Sequence, residues 1–277
     1  SRRILIVTGA GISVSSGIPD FRSEDGLFET LRRQYPRFLS SGSDLFDARL
    51  FSNPVTTQLF YRFMGQFRRQ VVNAEVTPTH KFMKELELKN KLLRVYSQNI
   101  DGLERKTPAT IKNTLVVLLH GELNNVICTL CREETEFTAE LADRFSRASP
   151  SNLESLQCSN CANIQRARFA IGKRTLGTGF LRPNIVLYNE EHPDCDRIGI
   201  LSEFDLRRKP DLLLVMGTSL RIPGVIRLVK EAARTVQSNG NGRGKVIYVN
   251  KTAPTTSRWR DLFDYHLEGD ADIIVTM

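Results

Sequence analysis

Four of the five cysteines form two pairs, Cys128-Thr-Leu-Cys131 and Cys158-Ser-Asn-Cys161, with 26 residues between them. Paired C-x-x-C units suit one tetrahedral zinc. Four thiolates close the shell and leave no place for water, so such a zinc is structural. The usual separation between pairs is roughly 15–20 residues; a longer finger is tolerable because loop-closure entropy grows slowly with length. Cys195 stands alone. A second group of residues gathers phosphate- and ribose-binding chemistry. Gly9-Ala10-Gly11-Ile-Ser13 follows an apolar run, and Gly217-Thr218-Ser219 follows another. Small residues at a strand end let backbone approach a pyrophosphate, and a helix N-terminus after the first turn would add N–H donors. Gln98-Asn99-Ile100-Asp101-Gly102 offers two amides and a carboxylate for a carboxamide and ribose hydroxyls. Taken alone, this is equally a turn in which Asn and Asp cap backbone groups. His120-Gly121 closes a further apolar run, and an imidazole of reference pKa about 6.5 accepts a proton at neutral pH. His80 falls in an amphipathic helical pattern, and His192 and His266 in polar surroundings. Asn250-Lys251 ends another run. One polar strand end is unremarkable; five along one sheet edge make a site.

Strands are expected at residues 3–8, 92–97, 115–120, 184–188, 211–216, 245–250 and 272–275. Most are continuous Val/Ile/Leu runs, as in strands buried on both faces of a parallel sheet. Helices are expected at 52–72, 79–90 and 224–238, with Pro54, Pro78 and Pro223 at positions where a missing N–H is harmless. The alternation predicts an α/β fold, a doubly wound parallel (Rossmann-like) sheet with a small inserted module. Residues 20–47 read as a loop or small helical insert. Residues 122–178 carry both cysteine pairs, lack strong periodicity and read as the inserted module.

The 277 residues are 40% apolar and 25% charged, which excludes disordered and collagen-like classes. No apolar run reaches the ~18–20 residues of a membrane helix, and no membrane partner is expected. Five cysteines in a chain this long do not make a secreted disulfide framework. Ser1 is not an initiator Met and an apolar strand begins almost at once, so the chain reads as an excised domain. Net charge is +8, which suits acidic partners or is simply a soluble surface. The dehydrogenase fingerprint needs a second strand ending in an acid ~20 residues after the glycines. Here that stretch is Ile18-Pro-Asp20-Phe21-Arg22-Ser-Glu-Asp-Gly26, which is no strand; hydride transfer loses ground.

Together these residues resemble the sirtuins, the NAD-dependent protein-lysine deacylases. The resemblance covers nearly the whole chain. It rests on GAGISVSSGIPDFR (9–22), QNIDGL (98–103), His120-Gly121, the two cysteine pairs, RPNIVLYNE (182–190), GTSL (217–220), Val249-Asn250 and GDAD (269–272). It implies a large NAD-binding Rossmann-like domain, residues 1–121 and 180–277 with a helical or loop insert at 22–78, and a small zinc-ribbon module at 122–179 holding one structural zinc. NAD and acetyl-lysine would meet between them. Gly9, Ala10, Gly11, Ser13, Ile18, Gly217, Thr218 and Ser219 would surround the cofactor's phosphates and ribose. Asp20, Phe21 and Arg22 would close over nicotinamide. Gln98, Asn99, Ile100 and Asp101 would bind the nicotinamide ribose and carboxamide, with Asn99 and Asp101 counted in the catalytic set. Asn250, Lys251, Asp270 and Ala271 would meet the adenosine. Val186, Tyr188 and Glu190 would line the acyl-lysine tunnel, and His120 would be the general base. The implied reaction has the acetyl oxygen attack the ribose carbon as nicotinamide leaves. His120 then takes a proton through the ribose hydroxyls, and lysine and O-acetyl-ADP-ribose result.

Three positions depart from the family pattern. Glu104 stands where many members carry His, Asn189 replaces a Gly, and residues 163–179 are longer and more basic than usual. The Glu104 and Asn189 pair is similar to fungal nuclear sirtuins that act on core histones. A histone substrate, a nuclear location (cytoplasm as the alternative) and nucleosomal DNA contact through Arg166, Arg168, Lys173 and Arg174 are therefore expected. The rivals are an ADP-ribosyltransferase or NAD glycohydrolase, a deacylase of other acyl-lysines, and a non-catalytic NAD-sensing chromatin module. His120 argues against the last, since a pure binder needs no base.

Overall fold

Ile4, Leu5, Ile6 and Val7 are all buried, although side chains along a strand point to alternate faces. Ile4 and Ile6 join a core with Met83, Leu86 and Val95. Leu5 and Val7 join another with Val225, Val229 and Ala232. A strand so clothed must lie inside a sheet covered on both sides. The computed structural model describes residues 1–106, 110–149, 152–239, 242–254, 259 and 261–277. Its strands are β1 (Ile4–Thr8), β2 (Leu92–Ser97), β3 (Val116–Leu118), β4 (Gly121–Cys128), β5 (Glu134–Glu136), β6 (Leu181–Ile185), β7 (Leu212–Met216), β8 (Lys245–Asn250) and β9 (Tyr265–Glu268). Its helices are α1 (Leu27–Gln34), α2 (Pro54–Asn73), α3 (Pro78–Leu88), α4 (Ala139–Ser146), α5 (Ser159–Ala170), α6 (Cys195–Arg207), α7 (Pro223–Ser238) and α8 (Ala271–Thr276). Among the described residues no helix is long and apolar enough to cross a membrane.

The chain divides into two compact units. The first comprises Ser1–Phe21, Ala74–His120 and Glu191–Met277. Its sheet has the order β3-β2-β1-β7-β8-β9, every neighbouring pair parallel. This is the doubly wound order with a crossover between β1 and β7, and ligands of such sheets bind beyond the carboxyl ends of the strands. One face is covered by α7, whose Val225, Val229 and Val236 are buried, and the other by α3 through Met83 and Leu86. Thr77 caps α3 and accepts from His80 N–H, while Pro78 occupies its first turn. Burial pushes the His80 imidazole down to about 4, so this histidine is a neutral part of the core.

The second unit comprises Arg22–Asn73 and Gly121–Glu190. Its sheet is antiparallel, in the order β5-β4-β6. Helix α2 lies against α4 so closely that a Cβ on Gly65 would stand 2.4 Å from Ala142 O. Tyr61, Phe137 and Phe145 fill the contact, with ring centroids 5.0 and 4.7 Å apart. Buried Arg68 ties α2 to the sheet, donating to Phe137 O at 2.9 Å and Asn124 Oδ1 at 2.8 Å.

Several expectations are corrected. Residues 272–275 form helix α8, not a strand: Asp270 caps it by accepting from Asp272 N–H at 3.0 Å. The strand near 184–188 is β6, which pairs antiparallel with β4 and so lies outside the parallel sheet. The strand at 115–120 is only the three residues of β3. The segment 22–73 packs with 121–190 instead of belonging to the larger body, because α2 is bound to α4. Residues 180–190 follow β6 into the second unit. After the first glycine-rich turn come two 3-10 turns, Ala10–Ile12 and Val14–Ser16, in place of the expected helix N-terminus.

Candidate functional site

In the first unit the carboxyl ends of β1, β7 and β8 are laced together by backbone. Gly9 N–H donates to Met216 O, Gly11 N–H to Gly217 O and Gly217 N–H to Val249 O, at 3.0, 2.9 and 3.0 Å. The glycines are required by contact. A Cβ on Gly9 would lie 2.7 Å from Gly217 O, and one on Gly11 2.7 Å from Gly217 Cα. Gly217 has φ +61°, and its own Cβ would meet Ile12 N at 2.7 Å. The result is a ridge of bare backbone between two strand ends, the surface a pyrophosphate needs. Ala10 lies in the turn, Ser13 and Thr218 are buried beside it, and Ser219 is half-buried. Ile18 is buried, whereas Asp20 and Phe21 are half-buried.

The end of β2 adds the polar groups. Gln98 Nε2 donates to Thr8 O and Thr218 Oγ1, each at 2.9 Å, and so bridges three strand ends. Asn99 is held by its N–H on Ser97 Oγ (3.1 Å) and its Nδ2 on Ser13 Oγ (3.3 Å). Its Oδ1 is buried with no hydrogen-bond partner among the described residues. That atom fits a carboxamide N–H. Ile100 is buried beside it, and Asp101, 5% exposed, receives Leu103 N–H at 3.0 Å. Burial raises the Asp101 carboxyl above its ordinary range. His120 stands just past β3 with Nδ1 2.8 Å from Gln98 O. A carbonyl only accepts, so Nδ1 carries the hydrogen and Nε2 bears the lone pair of the neutral ring. Asn250 donates to Thr252 O at 3.1 Å. Lys251 pairs with Asp270 at 3.1 Å, and Asp270 and Ala271 begin α8.

In the second unit Cys128, Cys131, Cys158 and Cys161 bring their Sγ atoms within 4.8 Å of one another. The Cys128–Cys161 and Cys131–Cys158 separations are both 3.7 Å. A tetrahedron with Zn–S of about 2.3 Å has sulfurs about 3.8 Å apart, so the four fit one zinc. Leu130 and Cys131 N–H point at Cys128 Sγ at 3.3 and 3.4 Å. Gly179, which the sequence did not single out, permits this packing: its Cβ would be 2.5 Å from Cys128 Sγ. Cys195 lies exposed at the start of α6, in the other unit.

The sequence profile of the Sir2 family matches residues 9–223. The chain belongs to the Sir2 family. Among curated sirtuins it is 41% identical to the NAD-dependent histone deacetylase HST3 of Saccharomyces cerevisiae, over all of this chain and 64% of that protein. It is 39% identical to the Candida albicans protein of the same name, over all of this chain and 59% of that one. With hst4 of Schizosaccharomyces pombe it shares 37% over 99% of this chain and 65% of that protein. The chain thus spans roughly three fifths of the length of these relatives. A Sir2 homologue variant bound to 2′-O-acetyl ADP ribose matches with TM-score 0.72 and 26% identity, over 99% of this chain and 89% of that one. A Sir2 variant with deacetylated p53 peptide and 3′-O-acetyl ADP ribose matches with TM-score 0.70 and 27% identity, over 100% and 92%.

The sirtuin motif RPNIVLYNE supplies β6 and the loop after it. Val186 is half-buried and Tyr188 exposed. Tyr188 pairs by backbone with the 46–48 segment, and its hydroxyl accepts from Arg22 at 2.7 Å. Glu190 accepts from both terminal nitrogens of Arg182 and accepts Leu187 N–H at 3.0 Å. Burial works against its charge, yet the Arg182 pairing prevails and holds the carboxyl below its ordinary range. Asn189 has φ +61°, a conformation Asn tolerates far better than most residues, and donates to Asp47 at 2.7 Å. The departure from Gly at 189 therefore keeps the backbone and adds a side-chain tether.

Proposed function

We propose that this chain is the catalytic domain of an NAD-dependent protein-lysine deacetylase acting on histones, and that it works in the nucleus. The reading is carried by the β2 end, where the partnerless Asn99 Oδ1 and the tautomer-fixed His120 both lean on Gln98-Asn99. The relatives' names support the same activity and substrate. NAD, when bound, supplies the acceptor for the acetyl group and nicotinamide as the leaving group. The Gly9, Gly11 and Gly217 backbone, with Ala10, Ser13, Thr218 and Ser219, would hold its phosphates and ribose. Asn99 Oδ1 would accept from the carboxamide, Asp101 and Ile100 would shape that pocket, and Asn250, Lys251, Asp270 and Ala271 would border the adenosine. His120 Nε2 would take the proton. Val186, Tyr188 and Glu190 would belong to the acyl-lysine side. The deciding assay incubates the chain with NAD and acetylated histone peptides. O-acetyl-ADP-ribose formed in step with deacetylated peptide supports the reading; free ADP-ribose made without peptide would favour a glycohydrolase.

Asn99→Ala is expected to raise the KM for NAD and weaken inhibition by nicotinamide, because it deletes the acceptor aimed at the carboxamide. Steady-state kinetics over a nicotinamide series checks this. Unchanged nicotinamide inhibition would remove Asn99 from that subsite.

The basic stretch supports a contact with nucleosomal DNA. No Asp or Glu lies between Glu154 and Glu190, while Arg166, Arg168, Lys173 and Arg174 cluster on and after α5. All but Arg168 are exposed. Neutralising the four is expected to lower activity on nucleosomes and leave a short acetylated peptide almost unaffected. The log–log salt dependence of nucleosome binding should flatten by about 0.9 for each phosphate contact removed. Equal loss on both substrates would place the defect elsewhere, and no change on either would make the stretch a solvated loop.

A further inference from the structure

Glu104 lies in the turn that leaves β2, with its side chain fully buried. An anion in such a place is tolerated only when donors serve both oxygens. Here the oxygens differ. Oε1 accepts from Ser97 Oγ at 2.5 Å, whereas Oε2 has no hydrogen-bond partner among the described residues. A second buried carboxyl, Asp101, shares the turn. Of the turn's cations, Arg105 donates to Val116 O at 3.1 Å and Lys106 to Ala74 O, while the Arg105 charge still acts on Glu104 and the Lys106 charge on Asp101. His120, beyond β3, is bonded to Gln98 O. Burial first, and the Asp101 charge second, push the Glu104 carboxyl up to about 8 despite the Ser97 bond and the Arg105 charge.

A path of hydrogen bonds leads from this carboxyl through Ser97 to the backbone N–H of Asn99, the residue whose side-chain amide is proposed to meet nicotinamide. Ser97 Oγ is bonded to Glu104 and receives Asn99 N–H; the Asn99 side chain is braced on Ser13 and leaves Oδ1 presented. We infer that Glu104 is a positioning residue that holds a proton in the working protein and, through Ser97, fixes the Asn99 amide for NAD. The inference rests on the NAD-binding reading above. Ionised, Glu104 would place an unsolvated oxygen beside Asp101. The Ser97 bond alone does not offset this, so the turn would have to open to water, moving Glu104 and shifting Ser97 with it. The sign follows from the raised value. The stabilising contribution of the protonated carboxyl is complete in acid and is lost as pH rises through about 8.

Calorimetric titration of the whole chain with NAD between pH 6.5 and 9.5 tests this. The Kd of the parent is expected to be flat to about pH 8 and then to rise, approaching tenfold per pH unit, as one proton is lost. Glu104→Gln keeps a neutral group of the same shape, so its Kd should not show this rise. Ser97→Ala cuts the link and should bind weakly at pH 7, again without the rise. Near pH 8.5 the parent should take up protons on binding NAD, read from buffers of different ionisation enthalpy. A flat parent profile, no proton uptake, or the same alkaline rise in Glu104→Gln would overturn the inference. If Glu104→Gln does not fold, proton uptake by the parent still decides. Absence of NAD binding at pH 7 would instead defeat the NAD reading itself.

Discussion

His120→Ala is expected to lower deacetylation by ~10²–10⁴-fold, the usual effect of losing a general base. At about 1.4 kcal/mol per tenfold, that is ~3–6 kcal/mol of transition-state stabilisation. The loss should fall on kcat. His120 meets Gln98 at its backbone carbonyl, while the Gln98 side chain keeps its own bonds to Thr8 O and Thr218 Oγ1. The strand ends that would hold NAD therefore do not depend on the imidazole. NAD affinity by calorimetry should change by no more than a few-fold, and the thermal midpoint should stay near that of the parent. The assay follows O-acetyl-ADP-ribose with acetylated peptide at saturating NAD. Near-normal turnover would mean that another group accepts the proton. A parallel collapse of NAD affinity would make His120 a brace of the Gln98 turn rather than the base.

The parallel sheet was legible because its strands carry one physical signature. Runs such as Ile4-Leu5-Ile6-Val7 are apolar on both faces, and only a doubly covered sheet demands that. The glycines at 9, 11 and 217 were legible as close approach, and the structure shows what they approach: each other's backbone. Elsewhere the signal was weak or misleading. Ile273-Ile-Val275 has the β-branched look of a strand, but Asp270 caps it into α8. Strand β9 lies at the sheet edge with largely exposed side chains, so it has no apolar run to read. Helix α4 and the α2 contact depend on Tyr61, Phe137 and Phe145, which meet only in three dimensions. Glu104 stands out in the sequence only as a departure from a family pattern. Charged residues are almost always at the surface, and nothing local announces one buried at the foot of β2.

Removing zinc is expected to unfold one end of the second unit and spare the other. The one buried residue of α5 is Cys161, and Ile164, Phe169 and Ile171 are exposed. A helix of 12 residues is marginal by itself, since most helical stability in proteins comes from packing an apolar face. The buried anchors of α5 are thus Cys161 and, at its N-cap, Cys158, while its tethers from Gln165 and Arg168 to residues 174–177 are exposed. Structural zinc in finger peptides contributes ~10–16 kcal/mol at neutral pH, comparable with the whole stability of a domain, ~5–15 kcal/mol. By contrast, α2 and α4 bury Phe60, Tyr61, Phe67, Leu141 and Phe145 without help from sulfur. Metal analysis should find one zinc per chain. After chelation, amide exchange should become fast across residues 159–170 and the Cys128–Cys131 turn, while the interiors of α2 and β1 stay protected. Ser at any of the four ligand positions should reproduce that pattern with zinc present, and Cys195→Ser should not. A chain free of zinc, or an α5 that keeps its protection after chelation, would show that the four thiols are only neighbours. Loss of protection throughout α2 as well would show instead that the metal supports the whole unit, aromatic pack included.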